Sequence, residues 1–381
     1  MLLNTAERMQ SLRDKLDVRG IGAALITSPD NLFYISGFKA LIYSRPILLI
    51  VEPDRTALII PALEEDHARR EAAADELIIY YEHPEMAHRG ASHLTELDAV
   101  MKRMASGTRI GVEMGQAPAA LVDHLRGLGL EPVDVGADIK RMRFIKTAEE
   151  IAAIKAAAEL VDLAVRESLA GVREGATELE VDARGNAALF AAVAARYPEA
   201  TVDLTVMTPS GPERSVMPHV FSNTRRLRRG DVIIHSRQVG LNGYRAECER
   251  TCILGRPTPE QERAFKAMQE AQRAAVDALR PGARMRDVDR AAREVIRAGG
   301  FADWAIHRTG HGIGVSAHEE PFLRFDEEML LEPGMVFSIE PGFYIPGLGG
   351  FRHSDTAIVT AGGAEVITDC PRGIEELVFP L

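Results

Sequence analysis

Short apolar segments alternate with amphipathic helical segments through residues 20–140. This alternation is typical of an α/β domain, because each apolar segment is long enough for a buried strand and each amphipathic one for a covering helix. The predicted strands are 22–27, 46–52, 56–61, 76–81 and 109–113, and the predicted helices are 64–75 and 91–106. We therefore expect an α/β domain over residues 1–140.

The pattern changes near residues 138–147, where IKRMRFIKT leads into a longer helix over about 148–170. Thr147 and Glu150 have the spacing of a capping box, which marks the first turn of that helix. Further helices are predicted from Val181, from Thr258 to Leu279 and over 285–298, and further strands over 231–236, 250–254, 335–341 and 356–360. Helices packed on a mostly antiparallel sheet form an α+β domain, which we expect over 141–381.

Composition narrows the classes of function. The chain has 381 residues, of which 46% are hydrophobic, enough for two domains. Its net charge of −11 argues against nucleic-acid binding, and no apolar run has the length of a membrane span. The first residues gain charges too early for a secretory signal. Cys248, Cys252 and Cys370 do not form a disulfide framework, so reduced thiols in a cytoplasmic protein are expected.

Two histidines and three glutamates mark the candidate site. His311 lies in GHGIG, where glycines let the backbone bend closely, and His318 follows shortly after. Glu340 lies in an apolar strand pattern, where a carboxylate needs a partner or a ligand. Glu247 and Glu249 are two positions apart on one predicted strand and face the same side. Their repulsion is relieved by a positive charge between them, which a metal ion or a substrate guanidinium can supply.

These motifs, in this order, resemble those of the creatinase, prolidase and methionine aminopeptidase superfamily, which includes peptidase family M24 and has the pita-bread fold. NLFYISGF at 31–38 is similar to the N-terminal domain of that superfamily, and RMRFIKTAEEI at 141–151 is similar to its domain junction. NGY, ERT, GHGIG, HEEP, LEPGMVFSIEP and GGFRHSDT follow in family order. The resemblance implies a creatinase-like α/β N-terminal domain, active in substrate specificity and dimer contact, followed by a pita-bread catalytic domain.

The metallopeptidases of this family hold two metal ions with two Asp, one His and two Glu. The matching positions here are Ser236, Glu247, His311, Glu340 and Ser354. Because a serine hydroxyl is a poor ligand for a hard divalent ion, a bridged pair of ions is not expected. One divalent ion such as Mn, Co or Zn, held by Glu247, His311 and Glu340, is the alternative to a site with no cofactor.

The missing ligands resemble the metal-independent creatinases, in which two glutamates hold the guanidinium group of the substrate. Glu249 and Glu340 match those glutamates, and Glu247 adds a third acceptor for the substrate. In this interpretation His219 is the general base that activates water and then protonates the leaving nitrogen. His311 and His318 orient the reacting group and stabilise developing charge.

Three further residues are implied to bind the substrate. Arg45 and Arg324 match the creatinase arginines that hold the substrate carboxylate, and Tyr43 takes the place of an aromatic residue beside the first of them. In creatinases the N-terminal arginine enters the active site of the neighbouring subunit. The resemblance therefore implies a homodimer whose N-terminal domain completes the neighbouring site.

The sequence thus favours a metal-independent, creatinase-like hydrolase that cleaves a C–N bond in a small guanidino, amidine or ureido compound bearing a carboxylate. One alternative is a metallopeptidase of the Xaa-Pro dipeptidase or aminopeptidase type with a reduced, mononuclear metal site. A second is a pseudoenzyme that binds a ligand without turnover. The sequence leaves the individual substrate open, and also whether the reaction is a hydrolysis or a lyase reaction.

Overall fold

The computed structural model describes residues 4–41 and 44–381, without the side chain of Ala87. The chain divides into two compact units, Met1–Arg143 and Phe144–Leu381. The division falls three residues after the expected end of the first domain at residue 140. No helix among the described residues is both long and apolar enough to cross a membrane.

The first unit is an α/β domain built on one six-stranded sheet, as the apolar pattern predicts. The strand order is β4-β3-β2-β1-β5-β6, with β2 antiparallel to both of its neighbours and the other pairs parallel. Its strands are β1 (Ala23–Ile26), β2 (Leu48–Val51), β3 (Thr56–Pro61), β4 (Glu76–Tyr80), β5 (Arg109–Val112) and β6 (Glu131–Asp134). Its helices are α1 (Thr5–Val18), α2 (Pro29–Ser36), α3 (Glu65–Glu71), α4 (His93–Met101), α5 (Ala119–Gly127) and α6 (Gly136–Met142).

The core of the first unit forms where the central strands meet the helices. Leu25, Ile50, Ile59 and Val112 are fully buried there, on strands that the sequence predicts. Strand β6 was not predicted, because its residues EPVD contain a single β-branched residue and neither an apolar run nor an alternating pattern.

The second unit combines long helices with a nine-stranded, mostly antiparallel sheet, which confirms the predicted α+β class. The main strand order is β11-β10-β12-β15-β9-β8-β7. Its helices are α7 (Ala148–Leu169), α8 (Glu178–Arg196), α9 (Gly211–Arg214), α10 (Pro259–Ala278), α11 (Met285–Ala298) and α12 (Ile374–Leu377). Its strands are β7 (Val202–Met207), β8 (Val232–Leu241), β9 (Tyr244–Leu254), β10 (Gly310–Gly312), β11 (Glu319–Leu323), β12 (Val336–Ile339), β13 (Gly342–Ile345), β14 (Gly349–Arg352), β15 (Ser354–Thr360), β16 (Gly363–Val366) and β17 (Val378–Phe379).

Capping residues fix where the long helices begin. The predicted capping box of Thr147 and Glu150 is present at α7, with the Thr147 side chain accepting from the Glu150 N–H. A second box, formed by Thr177 and Glu180, begins α8 three residues before the predicted start at Val181. Each box satisfies backbone N–H groups that the first helical turn leaves without a partner.

The hairpin of β8 and β9 forms the centre of the second unit. It pairs continuously from Val232 with Ile253 to Leu241 with Tyr244. Asn242 and Gly243 have positive φ angles of 47° and 92°, which suit a tight two-residue turn between antiparallel strands. Because every residue of β8 is buried, both faces of this strand are covered, and polar side chains on it must find partners inside the protein.

Candidate active site

Five neighbouring strands of the sheet, β10, β12, β15, β9 and β8, carry residues of the candidate site on one face. His311 on β10 pairs with Ser338 on β12. Glu249 on β9 pairs with Ser236 on β8 and with Ser354 on β15. Directly opposed residues in a sheet point to the same side. The register therefore gathers residues that are more than a hundred positions apart in the chain.

Glycine at position 310 is required by this packing. A Cβ atom at Gly310 would lie 2.1 Å from the carbonyl oxygen of Ser338. The glycine thus allows β10 to approach β12 closely, which brings His311 over the centre of the sheet.

His311, Glu340 and Glu247 form the buried centre of the group. The Nε2 atom of His311 lies 3.3 Å from Oε1 of Glu340 and 4.0 Å from Oε2 of Glu247. His311 Nε2 and Glu340 Oε1 have no hydrogen-bond partner among the described residues, although both atoms are buried. Buried polar atoms without a partner are rare, and two that face each other are suited to a shared ligand.

The carboxylate of Glu247 is held by neutral donors. The hydroxyl groups of Ser338 and Ser354 each donate to its Oε1 atom at 2.7 Å, and Gln238 Nε2 donates to its Oε2 atom. Among the residues that the structure describes, no arginine or lysine forms an ion pair with Glu247, so its negative charge is available to a cation.

Glu249 has a different partner, Arg352, which the sequence analysis did not single out. The Nε and Nη2 groups of Arg352 donate to the two carboxylate oxygens of Glu249. The Nη1 group of Arg352 donates to the hydroxyl of Tyr344 at 3.0 Å, and its Nε lies 3.7 Å from Oε2 of Glu340. Burial by itself would lower the pKa of Arg352, but the charge of Glu249 raises it well above its ordinary value, so the guanidinium stays protonated.

The pKa values of the two histidines of the group, His311 and His318, are shifted in opposite directions. Burial would lower the pKa of His311, but its contact with Glu340 and the negative charge of Glu247 raise it to about 9. Burial and the neighbouring His311 lower the pKa of His318 to about 4. The two rings stack with their centroids 3.7 Å apart, so His318 presents a neutral imidazole beside the centre at neutral pH.

His307 is another residue that sequence reasoning missed. Its Nε2 atom lies 3.6 Å from Oε1 of Glu340, and burial lowers its pKa. It stands four residues before His311 in AIHRTGHG, and only this proximity marked it in the sequence. Arg352 had a clearer signal, since an arginine in the otherwise apolar stretch GGF requires a buried partner.

Those of the remaining predicted residues that the structure describes have exposed or partly exposed side chains. His219 is exposed, in the turn that follows α9. Arg324 is exposed and forms an ion pair with Asp326. In the first unit, Arg45 is exposed and donates to Glu82 at 2.6 Å. Tyr43 lies outside the described residues.

The donor set fits one divalent ion. Ligand atoms of Glu247, His311 and His318 all lie within 4.8 Å of one another, as do carboxylate oxygens of Glu247, Glu249 and Glu340. The Nε2 atom of His311 and the Oε1 atom of Glu340, both buried, lie 3.3 Å apart. Imidazole and carboxylate together are suitable ligands for Zn and Mn, and three protein ligands can hold a catalytic ion.

Comparisons with known proteins agree with this chemistry. Residues 152–361 match metallopeptidase family M24, and residues 8–145 match the creatinase/prolidase N-terminal domain. The Xaa-Pro dipeptidase of Pyrococcus furiosus is 31% identical over 96% of this chain and 99% of its own length.

Solved structures are similar over the whole length. Dipeptidase PepE of Mycobacterium ulcerans has a TM-score of 0.85 at 30% identity, covering 100% of both chains. The prolidase of Pyrococcus horikoshii has a TM-score of 0.84 at 28% identity, covering 97% of this chain and 99% of its own. The predicted superfamily and its two-domain, pita-bread architecture are confirmed.

Two predictions are wrong. The favoured reading, a metal-independent, creatinase-like hydrolase of guanidino or amidine compounds, is overturned because the matching family is one of metallopeptidases and the similar proteins are named dipeptidases. The prediction of a site without a cofactor fails for the same reason. The serines at positions 236 and 354 led to the wrong preference, and the alternative with one divalent ion on Glu247, His311 and Glu340 agrees better with a metallopeptidase family. The broader prediction of a hydrolase is confirmed.

Proposed function

Because this chain belongs to metallopeptidase family M24, we propose that it is a metal-dependent dipeptidase that hydrolyses Xaa-Pro dipeptides at a centre with one divalent ion. One observation carries this proposal. His311 Nε2 and Glu340 Oε1 are buried, face each other at 3.3 Å and have no hydrogen-bond partner among the described residues. The two atoms lie at ion-pair distance, so a divalent ion that binds both would displace the proton of His311 and take its place as the cation between the imidazole and the carboxylate.

Glu247, His311 and Glu340 are the proposed ligands. Ser338 and Ser354 fix the orientation of Glu247 through hydrogen bonds of 2.7 Å to its Oε1 atom. The Nδ1 atom of His311 lies 2.9 Å from the carbonyl oxygen of Gly312, to which it donates when Nε2 is the ligand atom. When bound, the ion supplies a Lewis acid for the scissile carbonyl and favours deprotonation of water.

His318 and His219 are the proposed residues for substrate and proton handling. His318 stacks on His311 at the exposed side of the centre, and its neutral ring can donate a hydrogen bond to the oxygen that becomes negative during attack. His219, in the exposed turn after α9, is proposed to protonate the leaving nitrogen. Replacing His219 with Ala should lower kcat without changing the bound metal content.

The activity is tested with a panel of dipeptides. Metal-free protein is reconstituted with Mn, Co or Zn and assayed on Xaa-Pro dipeptides, on dipeptides without proline and on guanidino acids. We expect cleavage of Xaa-Pro dipeptides that is lost in chelator and restored by metal. Activity that persists in chelator contradicts the proposal. Metal binding without turnover of any dipeptide would favour the ligand-binding alternative.

Dimerisation and location are also proposed. The creatinase/prolidase N-terminal domain supports a homodimer in which Arg45 contacts the substrate in the neighbouring site. Light scattering gives the mass in solution, and mixing a His311→Gln protein with an Arg45→Ala protein tests the shared site. Mixed dimers should regain activity that neither variant shows alone. The three free cysteines, all buried, support a cytoplasmic location.

A further inference from the structure

We infer that Arg352 acts as a fixed cation of the metal centre. Because its guanidinium binds both carboxylate oxygens of Glu249, the centre takes one divalent ion rather than two. The inference rests on the proposed function, because it concerns the composition of the same centre. It assigns Arg352 and Glu249 as positioning residues, which set the charge of the centre without binding the ion.

Three carboxylates place a high density of negative charge at the centre. Carboxylate oxygens of Glu247, Glu249 and Glu340 lie within 4.8 Å of one another. All three residues are buried, with exposed fractions of 3%, 1% and 3%. Three buried carboxylates this close repel one another strongly unless cations are placed among them.

The guanidinium group of Arg352 binds the whole carboxylate of Glu249. Its guanidinium meets Glu249 in a two-pronged arrangement, with Nε and Nη2 each donating to a different oxygen. Both oxygens of Glu249 are therefore directed at Arg352. The residual attraction reaches Glu340, whose Oε2 lies 3.7 Å from Arg352 Nε.

The neighbours of Glu249 in the sheet add no negative charge. Its two cross-strand neighbours are Ser236 and Ser354, which are short and neutral. Ser354 donates to Glu247 and adds no negative charge. The side of the centre next to Glu249 therefore holds one carboxylate and one guanidinium, whose charges cancel. Glu247 and Glu340 remain, and their two negative charges match one divalent ion, with His311 as a third ligand that becomes neutral when the ion displaces its proton.

The decisive test removes the pair as a unit. Glu249→Gln and Arg352→Met are combined, which leaves no unpaired buried charge and so protects folding. Metal-free wild type and double variant are titrated with Zn and with Mn in a calorimeter. We expect one ion per chain in both proteins, with Kd values within about three-fold of each other, because the deleted pair is neutral and binds no ion. A loss of about 100-fold or more in the double variant would show that Glu249 is a ligand and would overturn the inference.

A single substitution gives the opposite signal. Arg352→Met frees Glu249 beside Glu247 and Glu340, and should raise the stoichiometry from one ion to two. A stoichiometry that stays at one, with Kd unchanged, contradicts the inference. If this variant does not fold, the double variant still decides. Two ions in the wild type would refute the role of Arg352 and the single-ion centre while leaving the proposed metal-dependent dipeptidase activity intact, whereas no ion in the wild type would refute that activity as well.

Discussion

His311 and Glu340 meet inside the second unit, with Nε2 of one 3.3 Å from Oε1 of the other. Neither atom has a hydrogen-bond partner among the described residues. The two residues come from neighbouring strands, β10 and the end of β12, which pair through Gly310 and Ile339. The proposed ion therefore depends most directly on this pair.

Replacing His311 with Gln should abolish high-affinity metal binding. The amide keeps a polar group of similar size, but it is a far weaker ligand than imidazole, so we expect Kd for Zn to rise by at least about 100-fold. Calorimetric titration of metal-free protein measures this change.

The matched control for that variant is His124→Gln. His124 lies in the first unit and its Nε2 contacts Asp98 Oδ1 at 2.6 Å, so the substitution also changes a histidine beside a carboxylate. Metal binding by this control should equal that of the wild type. Equal Kd values for the His311 variant and the control would contradict the assignment of His311 as a ligand.

Removing one partner of the buried ion pair of Lys146 and Glu319 should lower stability strongly. Its Nζ–Oε1 distance is 2.8 Å, and the two side chains are exposed by only 2% and 7%. Lys146→Met leaves a buried carboxylate without its cation, which should cost about 3–5 kcal/mol of unfolding free energy. The double variant Lys146→Met, Glu319→Gln should regain most of that loss.

An exposed ion pair provides the comparison. Lys155 and Glu365 approach to 2.6 Å, but their side chains are 42% and 47% exposed. Lys155→Met should change the unfolding free energy by less than about 1 kcal/mol. Denaturant titrations of all three variants measure these values. Similar losses for Lys146→Met and Lys155→Met would show that the buried pair has no special weight.

Stability should fall with acid because of His353. Burial, together with the charge of Arg250, lowers the pKa of His353 to about 3 from an ordinary 6.5. Between these pH values the unfolded chain takes up a proton that the folded protein refuses, so stability is lost as pH falls through this window. The loss from this residue should reach about 2–3 kcal/mol at pH 4.5.

His353→Gln tests that linkage. Glutamine can still accept from the N–H of Thr251 and donate to the carbonyl of Arg372, as His353 does at 3.2 and 3.3 Å. We expect Tm of this variant to fall less steeply between pH 6.5 and 4.5 than Tm of the wild type. The exposed His83→Gln serves as the control and should follow the wild type. Parallel curves for all three proteins would show that His353 does not cause the acid sensitivity.

Much of the fold was predictable from local sequence patterns, such as capping residues and apolar runs. The capping box of Thr147 and Glu150 marked the start of α7 because a cap depends on residues three positions apart. Strands such as Thr56–Pro61 were visible because they are continuously apolar. The short strand Glu131–Asp134 was not, since its pairing with β5, rather than its own pattern, makes it a strand.

The sequence predicted which glutamates belong to the candidate site, but it did not predict which side chains they contact. Glu340 was identified because a carboxylate in an apolar strand needs a partner, and Glu247 and Glu249 because they face the same side of one predicted strand. That Glu249 belongs to Arg352 depends on pairing between β9 and β15, which places residues a hundred positions apart side by side. From the sequence, the guanidinium group expected beside Glu249 was that of a substrate. In the structure it is the side chain of Arg352.

The central claim, a hydrolase centre with one divalent ion, is tested most directly by measuring metal per chain. The protein is purified from cells grown with added Mn, Co and Zn, without any chelator or refolding step, and analysed by elemental mass spectrometry. The account predicts one tightly held ion per chain in the wild type and a near-complete loss in His311→Gln. A wild-type protein with no ion, which still fails to bind any of the three metals when they are added back, would contradict it.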